Sequence, residues 1–98
     1  MKQKYLANWQ AFLKLCAQMK GKNDFSLLLD LFLTKAEQED IALRYKIVEE
    51  LLRSEKTQRE IAREFGVSIA KVTRGSNALR VASGKMKKAI SKCNHASA

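Results

Sequence analysis

The sequence contains no proline, only four glycines and a single histidine among its 98 residues. Because proline and glycine interrupt helices, their scarcity favours a mainly helical protein. No run of apolar residues approaches the roughly 20 that cross a membrane, and the first residues lack the apolar stretch and cleavage site of a secretion signal. We therefore expect a cytoplasmic protein whose two cysteines, Cys16 and Cys93, are reduced thiols.

Acidic residues are absent after Glu64, so the positive charge is concentrated towards the C-terminus. The whole chain carries 19 Lys and Arg against 10 Asp and Glu, a formal net charge of +9. Its apolar fraction of 46% is ordinary for a folded domain and argues against a disordered basic tail. A folded basic domain favours nucleic acid as its partner. The cations of the acid-free segment are the candidates for phosphate binding: Lys71, Arg74, Arg80, Lys85, Lys87, Lys88 and Lys92.

Apolar periodicity predicts an all-α single domain of about six helices over residues 1–98. Apolar side chains between Leu6 and Met19 recur every three or four residues and predict a first helix that ends near Gly21. The stretch Phe25–Leu33 is apolar on nearly every side, so a helix there has to be enclosed. Such enclosure is difficult in so short a chain without a second subunit.

The next helix is expected to begin after Thr34, which forms a capping box with Glu37, and to fade by Ser54. A break at Ser83 and Gly84 separates a weak last helix and a polar tail, residues 84–98. The apolar face of the helix after Thr34 is predicted to consist of Ile41, Tyr45, Val48, Leu51 and Leu52.

Residues 57–80 carry the pattern of a helix-turn-helix, in which a tight turn containing glycine joins two short helices. A second capping box, Thr57 with Glu60, opens the first helix, and Gly66 supplies the left-handed residue that ends it. Ser68 can cap the second helix, which is predicted from Ile69 to about Leu79.

The second helix would enter the major groove of DNA with its N-terminus first. Lys71 is expected to bind phosphate, and Arg59 to donate two hydrogen bonds to a guanine. The side chains expected at base edges or thymine methyl groups are Ile69, Ala70 and Thr73. Those expected at phosphates are Lys46, Gln58, Thr73 and Asn77, and Ser68 completes the predicted DNA-binding set.

Gly75 lies inside the second helix, where a glycine costs roughly 0.5–1 kcal/mol relative to alanine. Either another backbone comes close to it, or the missing side chain leaves room for a ligand. Arg74 is its neighbour and Arg44 lies on the preceding long helix, so both arginines are candidates for such a site.

Three stretches resemble the tryptophan repressor family: Ile47-Val48-Glu49-Glu50-Leu51-Leu52-Arg53, Gln58-Arg59-Glu60 and Thr73-Arg74-Gly75-Ser76-Asn77. Trp9–Thr34 is similar to the same family without a gap, and the resemblance extends from about residue 5 to about residue 81. It implies an interlocked all-helical homodimer with its dimerisation core in residues 5–56. The implied function is a repressor of genes for tryptophan synthesis or uptake. It would bind a near-palindromic operator more tightly once L-tryptophan binds as corepressor, with no other cofactor.

The resemblance also implies which residues hold the corepressor. Its indole ring would lie between Arg44 and Arg74, and Arg74 would also bind the carboxylate. Gly75 would give the ring space, and Val48 would line the slot. Ala78 stands where the family usually has a serine, so one polar contact near the amino group is absent.

Further contacts are implied from the other subunit of the dimer. Leu31 and Leu33 would offer backbone carbonyls to the ammonium group, and Thr34 would offer its hydroxyl to the carboxylate. The chain departs from the family at Lys71, which replaces an uncharged residue and is expected to raise phosphate affinity. The basic segment from Lys85 to Lys92 is expected to fray or to contact DNA.

Two other functions stay open at this point. A repressor on the same scaffold could respond to another indole or to no ligand, and a basic helical protein could bind RNA or serve as a scaffold. Enzymatic activity is not expected, and His95 with Cys93 supplies only two of the four ligands of a structural zinc site. Five acids of the helix after Thr34 are interpreted as cap and surface charges: Glu37, Glu39, Asp40, Glu49 and Glu50.

Overall fold

The computed structural model describes the backbone of residues 2–97 and the side chains of residues 4–92. Within this range the chain forms helices and no strands, which confirms the predicted all-α class. No helix among the described residues is long and apolar enough to cross a membrane. The helices are α1 (Lys2–Ala17), α2 (Gly21–Phe32), α3 (Lys35–Arg53), α4 (Gln58–Phe65), α5 (Ile69–Val81) and α6 (Gly84–Ser97).

Both predicted capping boxes are formed. The amide of Thr34 donates to Glu37 Oε1 at 2.8 Å, and the amide of Glu37 donates to Thr34 Oγ1 at 3.1 Å. Thr57 and Glu60 exchange the equivalent pair of hydrogen bonds at 2.9 and 3.1 Å. The backbone hydrogen bond to its carboxylate is the main cause that lowers the pKa of Glu60 from its ordinary value of 4.5. Each box thus satisfies two amide groups that a helix start leaves without a partner.

The turn between α4 and α5 has the predicted construction. Gly66 adopts a left-handed backbone with φ 66° and ψ 37°, a conformation that costs glycine nothing and other residues strain. The amide of Val67 then donates to the carbonyl of Ala62 at 3.0 Å, which closes the end of α4. Ser68 caps α5 by accepting from the amide of Lys71 at 3.3 Å.

The chain divides into two compact units, one up to Gln38 and the other from Glu39 onwards. In the first unit, the ring of Phe12 lies between those of Trp9 and Phe32, with centroid distances of 5.7 and 5.3 Å. Little else is enclosed in a single chain. Leu27 is 69% exposed and Leu31 is 77% exposed on α2, so the helix expected to need enclosure is largely uncovered.

The core of the second unit lies where α3, α4 and α5 meet. Its buried members are Ile47, Ile61, Ala62 and Val72, and each large side chain among them stabilises the unit by about 1.5–3 kcal/mol. The small side chain of Ala62 is buried in this core, while α4 and α5 pack closely against each other. Residues half-buried around this core are Leu43, Leu51, Phe65 and Val67.

Several details differ from the sequence prediction. Helix α2 begins at Gly21 and not near Phe25, because the left-handed backbone of Gly21 (φ 89°) turns the chain directly into it. Helix α6 is longer than expected, and Ser83 caps it by accepting from the amide of Met86 at 3.1 Å. Cys16 is a free, half-buried thiol, whereas the side chains of Cys93 and His95 lie outside the described residues.

The interpretation of Glu49 and Glu50 as surface charges is wrong. Glu49 is 2% exposed and Glu50 is 6% exposed. Long basic side chains one turn away make this burial possible by reaching in from the surface. Lys46 Nζ lies 2.8 Å from Glu49 Oε1, and Arg53 Nη2 lies 3.3 Å from Glu50 Oε1.

Candidate functional site

Helices α3 and α5 of the second unit border a partly open cavity of about 230 Å³. Pockets for drug-sized ligands usually measure roughly 300–1,000 Å³, so this cavity suits a smaller molecule. Three cationic side chains and four apolar or small residues form its walls. The lining residues are Arg44, Ile47 and Val48 on α3, and Lys71, Arg74, Gly75 and Ala78 on α5.

Gly75 forms part of the cavity wall that faces α3. A Cβ atom added there would lie 3.4 Å from Leu51 Cδ1 and 3.5 Å from Ile47 Cγ2 and Val48 Cγ2. These are ordinary van der Waals distances, and the neighbours are side chains and not backbone. A close backbone approach is therefore not the reason for this glycine. Gly75 itself lines the cavity, so its missing side chain is consistent with room for a ligand.

The cavity brings together the residues predicted for ligand binding on α3 and α5, namely Arg44, Val48, Arg74, Gly75 and Ala78. Sequence reasoning missed Ile47, whose place beside Val48 gave no separate signal, and assigned Lys71 to DNA alone. The other predicted ligand residues, Leu31, Leu33 and Thr34, lie in the first unit. The hydroxyl of Thr34 accepts the amide of Glu37, an interaction that leaves its own proton available for a ligand oxygen.

The residues predicted at base edges lie on the exposed side of the helix-turn-helix. Ile69 and Ala70 are exposed in the first turn of α5, and Arg59 is exposed in the first turn of α4. Thr73 is half-buried and donates its hydroxyl to Gln58 Oε1 at 2.7 Å. This hydrogen bond joins the two helices. It uses the side-chain oxygen of Gln58, so the side-chain nitrogen of Gln58 stays available as a donor to phosphate.

Other residues predicted at phosphates have partners within the chain. Lys46 Nζ donates to Glu49 Oε1, and this hydrogen bond is the main cause that raises the pKa of Lys46 above its ordinary value of 10.5. Asn77 Oδ1 accepts from Arg80 Nη2. After these contacts Lys46 keeps two of its three N–H donors, and Asn77 keeps both N–H donors of its amide, since only its oxygen is used. These donors stay available for a phosphate.

A group of charges connects the two helices at one end of the cavity. Asp40 Oδ2 lies 2.9 Å from Arg44 Nη2, and Asp40 Oδ1 lies 3.6 Å from Lys71 Nζ. The first pair has the spacing of neighbours on one helix face and was detectable in the sequence. The second pair joins α3 to α5 and had no sequence signal, so Asp40 is more than the isolated surface charge expected of it.

The rest of the described chain offers a basic groove and no metal site. Lysine side chains of α6 border a shallow groove together with Ser91, and their predicted contact with DNA stays a prediction. Among the described residues, no group of three or more His, Cys, Asp or Glu side chains could hold a metal ion.

Comparison with known proteins gives the family of the chain. The family model described as Trp repressor protein matches residues 7–94. A Trp operon repressor homolog of Chlamydia trachomatis serovar L2 is 47% identical over 92 residues, which cover 94% of this chain and 98% of that protein. The homolog of Chlamydia trachomatis serovar D is 51% identical over 80 residues, covering 82% and 85% of the two chains. The homolog of Vibrio cholerae is 38% identical over 90 residues, covering 92% and 87%. The resemblance seen in the sequence is confirmed: the chain belongs to the Trp repressor family and is a regulator of transcription, not an enzyme.

Proposed function

We propose that the chain is a DNA-binding repressor of genes for tryptophan synthesis or uptake, and that L-tryptophan activates it as corepressor. The observation that carries this proposal is that two different sides of α5 serve the cavity and the predicted DNA-reading surface. One side of the helix walls a cavity between two arginines, and another side carries the residues predicted to read bases. A ligand in the cavity therefore acts directly on the DNA-reading element.

The cavity has the chemistry of an aromatic amino acid site. The guanidinium planes of Arg44 and Arg74 can stack on an indole ring, and Arg74 can bind its carboxylate through paired hydrogen bonds. Ile47 and Val48 supply apolar contacts, and Gly75 leaves the ring its space. Among the described residues, those that line the cavity carry no hydroxyl, amide or carboxylate side chain, so we infer that backbone carbonyls accept from the ligand ammonium.

We assign those carbonyls to a second copy of the chain, at Leu31 and Leu33, with the Thr34 hydroxyl at the carboxylate. The exposed apolar side chains of the first unit support a homodimer, because Leu27 and Leu31 alone leave a large apolar area in water. A dimer would bury this area in a shared core. Sedimentation of the protein as a monomer at micromolar concentration would contradict this assignment.

The mechanism follows from the position of the cavity. L-tryptophan between α3 and α5 would fix the angle of the helix-turn-helix on the dimer core. The two copies of α5 would then fit successive major grooves, about 34 Å apart on a near-palindromic operator. The ligand shifts the equilibrium only by its higher affinity for this DNA-competent arrangement. A repressor of this kind works in the cytoplasm, where bacterial DNA is found.

The proposal is tested by DNA binding across a titration of L-tryptophan. A duplex is first selected from a random pool with the protein and ligand, and its affinity is then measured by fluorescence anisotropy. We expect the affinity to rise with ligand and to exceed that for random duplex at the same salt concentration. If the protein binds the selected duplex equally well without L-tryptophan, the corepressor role is contradicted. If it binds the selected duplex no more tightly than random duplex or RNA, the operator role is contradicted.

The arginine assignment has its own test. Arg74→Lys keeps the charge but loses the planar group that stacks and binds bidentately, so we expect L-tryptophan affinity to fall by more than about tenfold. The matched control is Arg63→Lys on α4, which is exposed and does not line the cavity. Calorimetry measures both. Equal affinity for the ligand in the two variants would contradict the assignment.

A second candidate ligand is an indole carboxylate without an amino group. Ala78 supports this second ligand, because the side chain of this lining residue has no polar atom that could accept from an ammonium group. Calorimetry with L-tryptophan and with indole-3-propionate distinguishes the two ligands.

A further inference from the structure

We propose that Asp40 is a positioning residue that holds Lys71 away from DNA in the ligand-free protein and so sets how strongly DNA binding depends on ligand. This inference rests on the proposed function of α5 as the reading helix. It concerns a residue pair that joins the ligand cavity to the DNA-facing side of the molecule.

The geometry places one carboxylate between two cations of the cavity wall. Asp40 Oδ2 forms the close contact with Arg44, 2.9 Å away, and Asp40 Oδ1 faces Lys71 Nζ at 3.6 Å. Arg44 and Lys71 both line the cavity, on opposite helices. The distance to Lys71 is longer than a hydrogen bond, and both side chains are partly exposed, so this pair can open at small cost.

Lys71 stands at a place where a helix disfavours a cation. It is the third residue of α5, its amide is capped by Ser68, and the first turn of α5 contains no acid. The positive end of the helix dipole repels an ammonium group there and attracts anions. Two anions can relieve this repulsion: the carboxylate of Asp40 in the free protein, or a DNA phosphate in the complex.

The two anions compete for the same ammonium group. Lys71 must break its contact with Asp40 before it can bind a phosphate. The free energy needed to break this contact lowers the affinity of the ligand-free protein for DNA. A ligand in the cavity touches Lys71 and Arg44 together, so it disturbs both contacts of Asp40 at once. Ligand binding therefore removes part of the cost before DNA arrives.

The test measures DNA affinity for Asp40→Asn, Lys71→Gln and the double variant, each with and without L-tryptophan, on the selected duplex. For Asp40→Asn we expect ligand-free affinity to rise about two- to fivefold per subunit, the range of an exposed ion pair. With saturating ligand the rise should be smaller, so the activation by ligand decreases. In the Lys71→Gln background the same substitution should have no such effect.

Two controls separate this role from general charge effects. Glu39→Gln removes a neighbouring exposed acid and should leave the activation by ligand unchanged. Asp40→Glu keeps the carboxylate and should restore most of the wild-type ligand dependence. Thermal unfolding confirms that each variant is folded.

The outcomes distinguish the inference from the proposed function. If Lys71→Gln weakens DNA binding but Asp40→Asn does not strengthen it, the inference is overturned and the DNA-reading role of α5 stands. If Asp40→Asn strengthens binding equally in both backgrounds, the carboxylate acts by long-range repulsion and the inference is again overturned. If no substitution on α5 affects DNA binding, the proposed function itself fails.

Discussion

Substituting Gly75 by alanine should stabilise the protein and weaken its ligand at the same time. Alanine is more favourable than glycine inside a helix by roughly 0.5–1 kcal/mol. The added methyl group would meet Leu51, Ile47 and Val48 at 3.4 to 3.5 Å, which is contact without overlap. Partial burial of this methyl group adds further stability, at most about 0.8 kcal/mol, which is the value for one fully buried methylene. We therefore expect Gly75→Ala to raise the free energy of unfolding by about 1 kcal/mol.

The same methyl group is added to a residue that lines a cavity of about 230 Å³, and we expect it to reduce the space for a ligand. Overfilling a packed site costs typically about 1–3 kcal/mol, which corresponds to a Kd for L-tryptophan that is roughly 5- to 150-fold higher. Thermal unfolding without ligand and calorimetry with L-tryptophan give the two numbers at matched protein concentration. The control is Gly84→Ala at the start of α6, where an added Cβ meets nothing within 4 Å and the ligand affinity should not change.

Two results would refute this reasoning separately. A loss of stability in Gly75→Ala would mean that the glycine serves the backbone of α5 and not the cavity. An unchanged affinity for L-tryptophan would mean that the ligand binds elsewhere.

Two further predictions concern the helix-turn-helix. The lowered pKa of Glu60 means that its carboxylate stabilises the protein above about pH 4.5, and that this contribution is lost as the pH falls through the folded-state pKa. Glu60→Gln should therefore flatten the acid side of the stability profile measured by urea unfolding, whereas the control Glu55→Gln should not. Thr73→Val removes the hydrogen bond to Gln58 and should lower the free energy of unfolding by about 0.5–1.5 kcal/mol. An unchanged urea midpoint would show that this contact between α4 and α5 contributes no stability.

The sequence predicted best those features that depend on neighbours along the chain. Each capping box needs only two residues three positions apart, and Gly66 needs only its own freedom to adopt positive φ. All of these formed as expected. Local hydrogen bonding fixes such features, so tertiary packing has little chance to override them.

The packing of α3 was harder to predict. Its apolar face was expected to include Ile41 and Tyr45, which are exposed, while the omitted Ile47 is fully buried. Periodicity identifies a helix but does not fix which side meets α4 and α5, since apolar residues lie on several sides of α3. The burial of Glu49 depends likewise on Lys46 reaching in from the surface, which requires knowledge of the packed neighbours.

In the proposed function, helix α5 combines the ligand site and the DNA reader in one small domain. Lys71, Arg74, Gly75 and Ala78 follow the helical spacing of one face, and this face walls the cavity. The base-reading candidates Ile69 and Thr73 share a different face, which Val72 and the core hold in a fixed rotation. A rigid helix cannot move one face without the other, so the proposed ligand on the first face would also position the second. Lys71 is the residue where this separation is incomplete, because its side chain lines the cavity and is also 44% exposed. A change confined to Lys71 or its partner Asp40 should therefore alter the coupling of the two sites more than it alters either site alone.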